Sequence, residues 1–167
     1  MAGSVLSSPS VERVRTALAA AGHDARIIEL DGAARTAQAA ARFLNCDVAQ
    51  IANSLVFRRV RSNEALLVMA SGAHRVDTAR LEALVGEPVG KADAAFVRER
   101  TGFAIGGVAP VGHPQRILTL IDSDLARHAD IWAAAGHPHT VFRLGFDALV
   151  RLTEGERADV AERGAAI

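Results

Sequence analysis

Residues 101–113 read TGFAIGGVAPVGH, and they place four glycines and one proline within thirteen positions of a chain that is otherwise regularly patterned. Glycine permits positive φ angles and lets a ligand approach the main chain closely, whereas Pro110 restrains φ and has no N–H donor. The stretch therefore predicts a loop whose main-chain N–H groups can point at an oxygen atom. A strand that ends in a tight turn would use the same residues, and physical chemistry alone leaves both interpretations open.

The composition is typical of one globular domain, with 167 residues of which half are apolar and 23% are charged. No apolar run approaches the roughly 18 residues that cross a membrane, and residues 1–9 lack the basic and apolar regions of a signal peptide. These features predict a cytoplasmic protein with no membrane partner. Cys46 is the only cysteine, which excludes a disulfide framework and a cysteine metal cluster.

The net charge disfavours one class of binding partner. The formal net charge is zero, which argues against a protein that coats nucleic acid through electrostatics alone. A net charge of zero is still compatible with contact with the end of an RNA. Lys91 is the only lysine, so chemistry that needs a lysine amine has a single candidate.

The spacing of apolar residues predicts a mixed α/β (α+β) fold. Helices are expected near residues 11–21, 36–44, 77–85 and 92–100 and from about 147 onward, and strands near residues 25–30, 54–57, 65–70, 116–121, 131–135 and 140–144. Several strand pairs are close enough for hairpins, so we expect a mixed, largely antiparallel central sheet flanked by helices. This domain would span residues 10–153, between a disordered leader (1–9) and a polar C-terminal tail (154–167).

Several polar side chains outside the glycine loop are candidates for a site. His137 and His139 would share one face of an extended segment and could bind a metal, but no third ligand is evident and exposed loop histidines are favoured. Asp122 and Asp124 follow a predicted strand, where they can cap a turn or meet a ligand. The sequence contains neither a G-x-x-x-x-G-K-[ST] loop nor a G-x-G-x-x-G before a helix, which disfavours nucleotide cofactors.

Five segments together resemble the YbaK/ProX family, whose members are free-standing relatives of the editing insertion domain of bacterial prolyl-tRNA synthetases. The segments are QIANSLVF at 50–57, SG at 71–72 with RVD at 75–77, GFAIGGVAPVG at 102–112, ID at 121–122, and AAG at 134–136. The resemblance covers roughly residues 10–153. Its most specific part is the stretch from Gly106 to Pro110, which matches the G-x-x-x-P motif of the family.

The resemblance implies a mixed α/β domain with a curved central sheet. It also implies an enzyme that hydrolyses the ester joining a wrong amino acid to the 3′ end of a tRNA, usually alanine, cysteine, 2-aminobutyrate, serine or threonine. No metal and no organic cofactor is expected. The implied partner is the acceptor end of a mischarged tRNA. The zero net charge leaves two alternatives for its recognition, either contacts confined to that end through Arg58, Arg59 and Arg75, or an aminoacyl-tRNA synthetase that helps to deliver the substrate.

The same resemblance assigns the site residues. Ester hydrolysis builds negative charge on the carbonyl oxygen, and the N–H groups of Gly106, Gly107 and Val108 would stabilise that charge. Family members need no strong nucleophile, because water or a group of the substrate supplies it. Asn53 completes the catalytic candidates, and the substrate-binding candidates are Ser54, Ser71, Gly72, Phe103, Pro110, Asp122, Ala134 and Gly136.

Two positions depart from the family pattern. Asn53 stands where the family usually carries a lysine that is held important for activity, and an amide carries no charge. Lys91 is distant in sequence, in an expected loop, and is a weak substitute. Ala134, which is serine in many relatives, would make the pocket more apolar and favour a small aliphatic side chain.

These departures leave three functional hypotheses. The first is a trans-acting aminoacyl-tRNA deacylase. The second is a binding module that recognises the aminoacyl end of a tRNA without hydrolysing it. The third is a hydrolase or lyase that uses the same loop on an ester without RNA.

Overall fold

The computed structural model describes residues 4–163, which form an eight-stranded mixed sheet with helices packed against it. The helices are α1 (Pro9–Ala20), α2 (Ala37–Leu44), α3 (Thr78–Val85), α4 (Ala94–Thr101) and α5 (Phe146–Thr153). The strands are β1 (Ile27–Glu29), β2 (Ile51–Arg59), β3 (Glu64–Ser71), β4 (Val89–Lys91), β5 (Leu118–Asp122), β6 (Ile131–Ala134), β7 (Thr140–Leu144) and β8 (Glu156–Ala158). Short 3-10 helices lie at Val5–Ser7, Val48–Gln50 and Ser123–Arg127.

The strands lie in the order β1-β7-β6-β2-β3-β5-β8, and β4 pairs with the far end of β2. Pairing is antiparallel for β1 with β7, β2 with β3, β2 with β4, and β6 with β7. It is parallel for β2 with β6, β3 with β5, and β5 with β8. The mixed α/β fold predicted from the sequence is confirmed, and its antiparallel pairings are a small majority.

The central strand β3 explains why the sheet is covered on both faces. Its residues from Ala65 to Ser71 are all buried, as expected for a continuous apolar run inside a domain. Leu67 and Met69 pack in one core cluster with α1, α4 and α5, whereas Leu66 and Val68 pack in a second cluster with α3. Alternate side chains of one strand thus hold helices on opposite sides of the sheet.

Side-chain caps begin α2, α3 and the second 3-10 helix. The side chain of Thr36 accepts a hydrogen bond at the start of α2, and that of Asp77 does so at the start of α3. Asp47 and Gln50 form a reciprocal capping box around the second 3-10 helix. No helix in the described part of the chain is long and apolar enough to span a membrane.

The expected termini of the domain are wrong where the structure describes them. Residues 4–9 are not a disordered leader, because Ser4 and Ser8 cap the first 3-10 helix and α1, which begins at Pro9. The tail is not merely polar, since β8 extends the sheet and Val160 and Ala161 are fully buried. Residues 1–3 and 164–167 lie outside the described part.

His113, in the loop after α4, makes stability depend on pH. Its Nε2–H donates to the carbonyl of Ala109 at 2.7 Å, and burial lowers the pKa of His113 although this hydrogen bond opposes the shift. The unfolded chain therefore binds the proton more readily. The stability that neutral His113 contributes is complete above its ordinary pKa of about 6.5 and is lost as the pH falls from there through the folded-state pKa.

We expect His113→Gln to flatten the dependence of unfolding free energy on pH below about 6.5, because glutamine does not titrate. Urea unfolding of the native and variant proteins between pH 7.5 and 5 would measure both profiles. Identical slopes for the two proteins would contradict the prediction.

Candidate functional site

A pocket opens along β2 where this strand lacks a neighbour on one side. One edge of β2 is fully paired, because β3 forms hydrogen bonds with it from Ala52 to Arg59. On the open side β6 pairs only with Ile51 and Ala52, and β4 pairs only with residues 57–59. Residues 53–56 therefore leave a gap in the described sheet. Asn53, Ser54 and Leu55 line the pocket at this gap.

The pocket is small and its walls are mainly apolar. Its free volume is about 160 Å³, whereas pockets for drug-sized ligands have about 300–1,000 Å³. Arg35 is the only ionisable side chain among the lining residues, so the lining offers no carboxylate, imidazole or thiol as a general base. The remaining walls consist of Ala34, Thr36, Ala37, Ala40, Ile51, Ala52, Ile105, Gly106, Val108, Trp132, Ala133, Ala134, Pro138, Thr140 and Val141.

Among the hydroxyl and amide side chains of the lining, the amide of Asn53 is free to meet a ligand. The hydroxyl of Thr36 accepts from a main-chain N–H at 3.1 Å, that of Ser54 contacts a methionine sulfur at 3.3 Å, and that of Thr140 donates to a main-chain carbonyl at 3.1 Å. The half-buried amide of Asn53 has no hydrogen-bond partner within residues 4–163. The amide is not a buried group without a partner, so a ligand can reach it, and it is the uncharged lining group best suited to contact substrate.

The glycine loop forms a turn against the segment between β6 and β7. The N–H of Gly107 donates to the carbonyl of Ala104 at 3.0 Å, and Gly106 has a left-handed φ of 92°. A Cβ added to Gly107 would lie 2.9 Å from Cα of His137. In the described residues the N–H groups of Gly106 and Val108 have no protein acceptor, and both residues line the pocket. Two of the three expected donors are thus available, while that of Gly107 closes the turn.

Several predicted binding residues are packed into the protein and do not line this pocket. Phe103 is fully buried in the main core, and Pro110 borders a separate cleft. Gly136 and Gly72 are needed for close packing. A Cβ on Gly136 would lie 2.7 Å from a main-chain oxygen of α1. A Cβ on Gly72 would lie 2.5 Å from a main-chain oxygen of the 3-10 helix 48–50. Their contribution is to bring the pocket walls together. Ala134 and Ser54 do line the pocket.

Ser71 and Asp122 also lie outside the pocket lining, in a network at the ends of β3 and β5. The buried carboxylate of Asp122 accepts from the N–H groups of Ser71 and Asp124, each at 3.0 Å, and lies 2.7 Å from Nδ1 of His74. Nε2 of His74 lies 3.2 Å from a carboxylate oxygen of Asp124. These side chains satisfy one another, so the network joins the two strand ends.

The structure groups potential metal ligands at a place that differs from the sequence expectation. Within residues 4–163, the ligand atoms of His74, Asp122 and Asp124 lie within 4.8 Å of one another. His137 and His139 belong to no such group, and the N–H of His139 donates to Nδ1 of His137 at 3.0 Å. Burial, and next the charge of His139, lowers the pKa of His137. The side chain of His137 therefore stabilises the turn beside the pocket as the acceptor for the main-chain N–H of His139.

Most lining residues were not among the sequence candidates, and three of these stand out by their size or charge. Arg35 precedes α2, Ile105 lies in the glycine loop with 60% of its surface exposed, and Trp132 lies on β6. These residues belong to three separate segments and carry no shared motif. The position of Ile105 within a glycine-rich stretch was the one signal available in the sequence.

Similar solved structures have the same architecture. A protein described as a candidate trans-editing enzyme for prolyl tRNA synthetase is 41% identical, with a TM-score of 0.88 over 93% of this chain and 99% of that chain. The hypothetical protein APE2540 is 27% identical, with a TM-score of 0.83 over 90% of this chain and 99% of that chain. These likenesses confirm the mixed α/β fold.

Sequence comparisons identify the family. The protein YwhH of Bacillus subtilis (strain 168) is 26% identical over 135 residues, which cover 81% of this chain and 85% of YwhH. Residues 31–152, which include α2, the β2 gap and the glycine loop, match the model of the aminoacyl-tRNA editing domain. The resemblance to YbaK/ProX editing domains is confirmed, and the chain belongs to the aminoacyl-tRNA editing domain family.

Proposed function

We propose that this protein is a trans-acting aminoacyl-tRNA deacylase, which hydrolyses the ester of a small amino acid on a mischarged tRNA. The observation that carries the proposal is that one small pocket is lined by Gly106, Val108 and Asn53, whose two N–H groups and side-chain amide have no hydrogen-bond partner within residues 4–163. Membership of the editing family and the likeness to a candidate trans-editing enzyme support it.

The N–H groups of Gly106 and Val108 suit the charge that develops during ester hydrolysis. Water attacks the carbonyl carbon, the bond to the ribose oxygen breaks, and the products are a free amino acid and a tRNA with its hydroxyl restored. Donors aimed at the developing oxyanion contribute about 3 kcal/mol each in other enzymes. The left-handed φ of Gly106 holds this part of the loop in a conformation that other residues adopt at a cost.

The proton that leaves the water passes to the departing ribose oxygen, through solvent or the neighbouring ribose hydroxyl. No side chain of the lining is suited to accept it, because the guanidinium of Arg35 stays protonated. The reaction is thus assisted by the substrate and by the protein main chain. We expect its rate to show no titration of a pocket side chain between pH 6 and 8.

The pocket favours small aliphatic amino acids. Its walls include Ala52, Ala133 and Ala134, and the hydroxyls of Ser54 and Thr140 already contact protein atoms. The hydroxyl of a bound serine or threonine would therefore find few free partners, and burying it without one costs about 1–3 kcal/mol. Alanine and 2-aminobutyrate are the preferred substrates on this argument.

A panel of mischarged tRNAs tests the function. We expect the native protein to deacylate alanyl- and 2-aminobutyryl-tRNA about tenfold or more faster than seryl-tRNA, with cysteinyl-tRNA as a further member of the panel. Asn53→Ala should lower the rate about tenfold or more, since hydrogen bonds to a substrate contribute roughly 0.5–1.5 kcal/mol and more when the partner is charged. Release of labelled amino acid from each tRNA measures both expectations.

A second candidate function is recognition of the aminoacyl end without hydrolysis, and the lack of a charged catalytic group in the lining favours it. Native protein that deacylates no member of the panel, while Asn53→Lys does so, would support this binding module and overturn the deacylase. Hydrolysis of a simple alanyl ester at the same rate as of alanyl-tRNA would instead point to a hydrolase that needs no RNA.

A further inference from the structure

We propose that Arg35 binds a phosphate of the terminal nucleotides of the RNA, at the mouth of the pocket, and thereby positions the ester inside it. The inference rests on the proposed function for the identity of the ligand. It concerns binding, and it assigns Arg35 no part in the breaking of the ester bond.

Among the described residues, the guanidinium of Arg35 is the only charge on the pocket lining. The residue is exposed, and within residues 4–163 its side chain makes neither a salt bridge nor a hydrogen bond. Some exposed arginines, such as Arg42 and Arg75, likewise have no such partner within residues 4–163 but do not line the pocket, and others are paired. Arg100 and Arg116, for example, each lie about 3 Å from a glutamate oxygen.

The main chain on both sides of Arg35 is held in place. The N–H of Ala34 donates to the carbonyl of Pro138 at 2.8 Å, and Thr36 caps α2. Cγ of Arg35 lies 4.0 Å from the position that a Cβ on Gly106 would occupy. The side chain therefore starts beside the proposed oxyanion donors and extends from a fixed point into solvent.

A phosphate is the ligand that this arrangement fits best. A guanidinium presents several donors in a planar fork that matches phosphate oxygens. The neutral, narrow interior suits an acyl group, so the charged part of an aminoacyl nucleotide has to remain outside. Arg35 is the one lining side chain at hand to pair with that charge.

Binding of an RNA hairpin with a single-stranded CCA end tests the inference without any need for hydrolysis. We expect Arg35→Ala to weaken binding about tenfold and to reduce the slope of log affinity against log salt by about 0.7, the change for one phosphate contact on a single strand. Arg35→Lys should retain part of the affinity. Arg116→Ala, which removes an exposed arginine that does not line this pocket, should leave affinity unchanged. Unchanged affinity and salt slope in Arg35→Ala would overturn the inference, as would an equal loss in Arg116→Ala.

Hydrolysis of two different substrates distinguishes a contact of Arg35 with phosphate from a contact of Arg35 with the ester. Arg35→Ala should raise KM for alanyl-tRNA about tenfold with little change in kcat, and it should leave hydrolysis of the alanyl ester of adenosine, which has no phosphate, unaffected. An equal loss with both substrates would overturn the inference. A native protein that hydrolyses neither substrate would contradict the proposed deacylase, whereas the binding experiment would still decide the role of Arg35.

Discussion

Replacement of Asp122 by alanine is expected to lower the free energy of unfolding by about 3 kcal/mol. The carboxylate is fully buried, accepts two main-chain N–H groups and lies 2.7 Å from His74. Its removal leaves the N–H of Ser71 buried without this acceptor, and a buried donor without a partner costs about 1–3 kcal/mol. It also removes the side-chain link between the ends of β3 and β5, whose main chains pair from Leu66 to Met69.

Asp159→Ala is the matched control, because Asp159 also has polar partners, Arg80 and Arg163, but is exposed. Exposed ion pairs contribute at most about 1 kcal/mol, so this variant should unfold within that range of the native protein. Urea unfolding followed by circular dichroism measures both. Equal, small losses for the two aspartates would contradict the structural role given to Asp122.

Gly107→Ala is expected to lower the rate of deacylation about a hundredfold. An added Cβ would lie 2.9–3.0 Å from three main-chain atoms of His137, and neither main-chain segment can yield without moving the turn that Gly106 and Val108 share. Displacement of an oxyanion donor costs about 10²–10³-fold in rate. Overpacking of this kind also destabilises proteins by roughly 1–3 kcal/mol.

Gly90→Ala makes the same chemical change where there is room, since its added Cβ would meet only a valine methyl group at 3.4 Å. This control should keep nearly the native rate. Single-turnover deacylation of alanyl-tRNA, with circular dichroism to verify folding, compares the two variants. A folded Gly107→Ala protein with the native rate would rule out the proposed role of the loop.

Local patterns in the sequence were sufficient for most elements of the fold. The caps at Thr36 and Asp77 act within a few residues of themselves, so they could be recognised without knowledge of the rest of the chain. The apolar run of β3 likewise predicted a buried strand. By contrast β4 was missed, and Lys91 was placed in a loop, because three residues with a glycine are paired only through contact with β2.

The candidate site was predictable in part, because some of its residues belong to local patterns of the sequence. Gly106, Val108 and Asn53 carry a recognisable pattern of residues, and all three line the pocket. Phe103 and Gly136 belong to the same pattern but support the walls from behind, which only their burial and close contacts show. A sequence motif shows which residues occur together, but it does not show which of them line a pocket and which are buried elsewhere.

The sequence by itself determined the mixed α/β class, the glycine loop and the resemblance to editing domains, because these depend on residue type and spacing along the chain. The tertiary structure alone decided where the pocket lies and what charge it carries. The gap beside residues 53–56 arises because β6 and β4 pair with opposite ends of β2. Arg35 reaches that gap from a separate segment, and contacts between distant segments are set by packing of the whole domain.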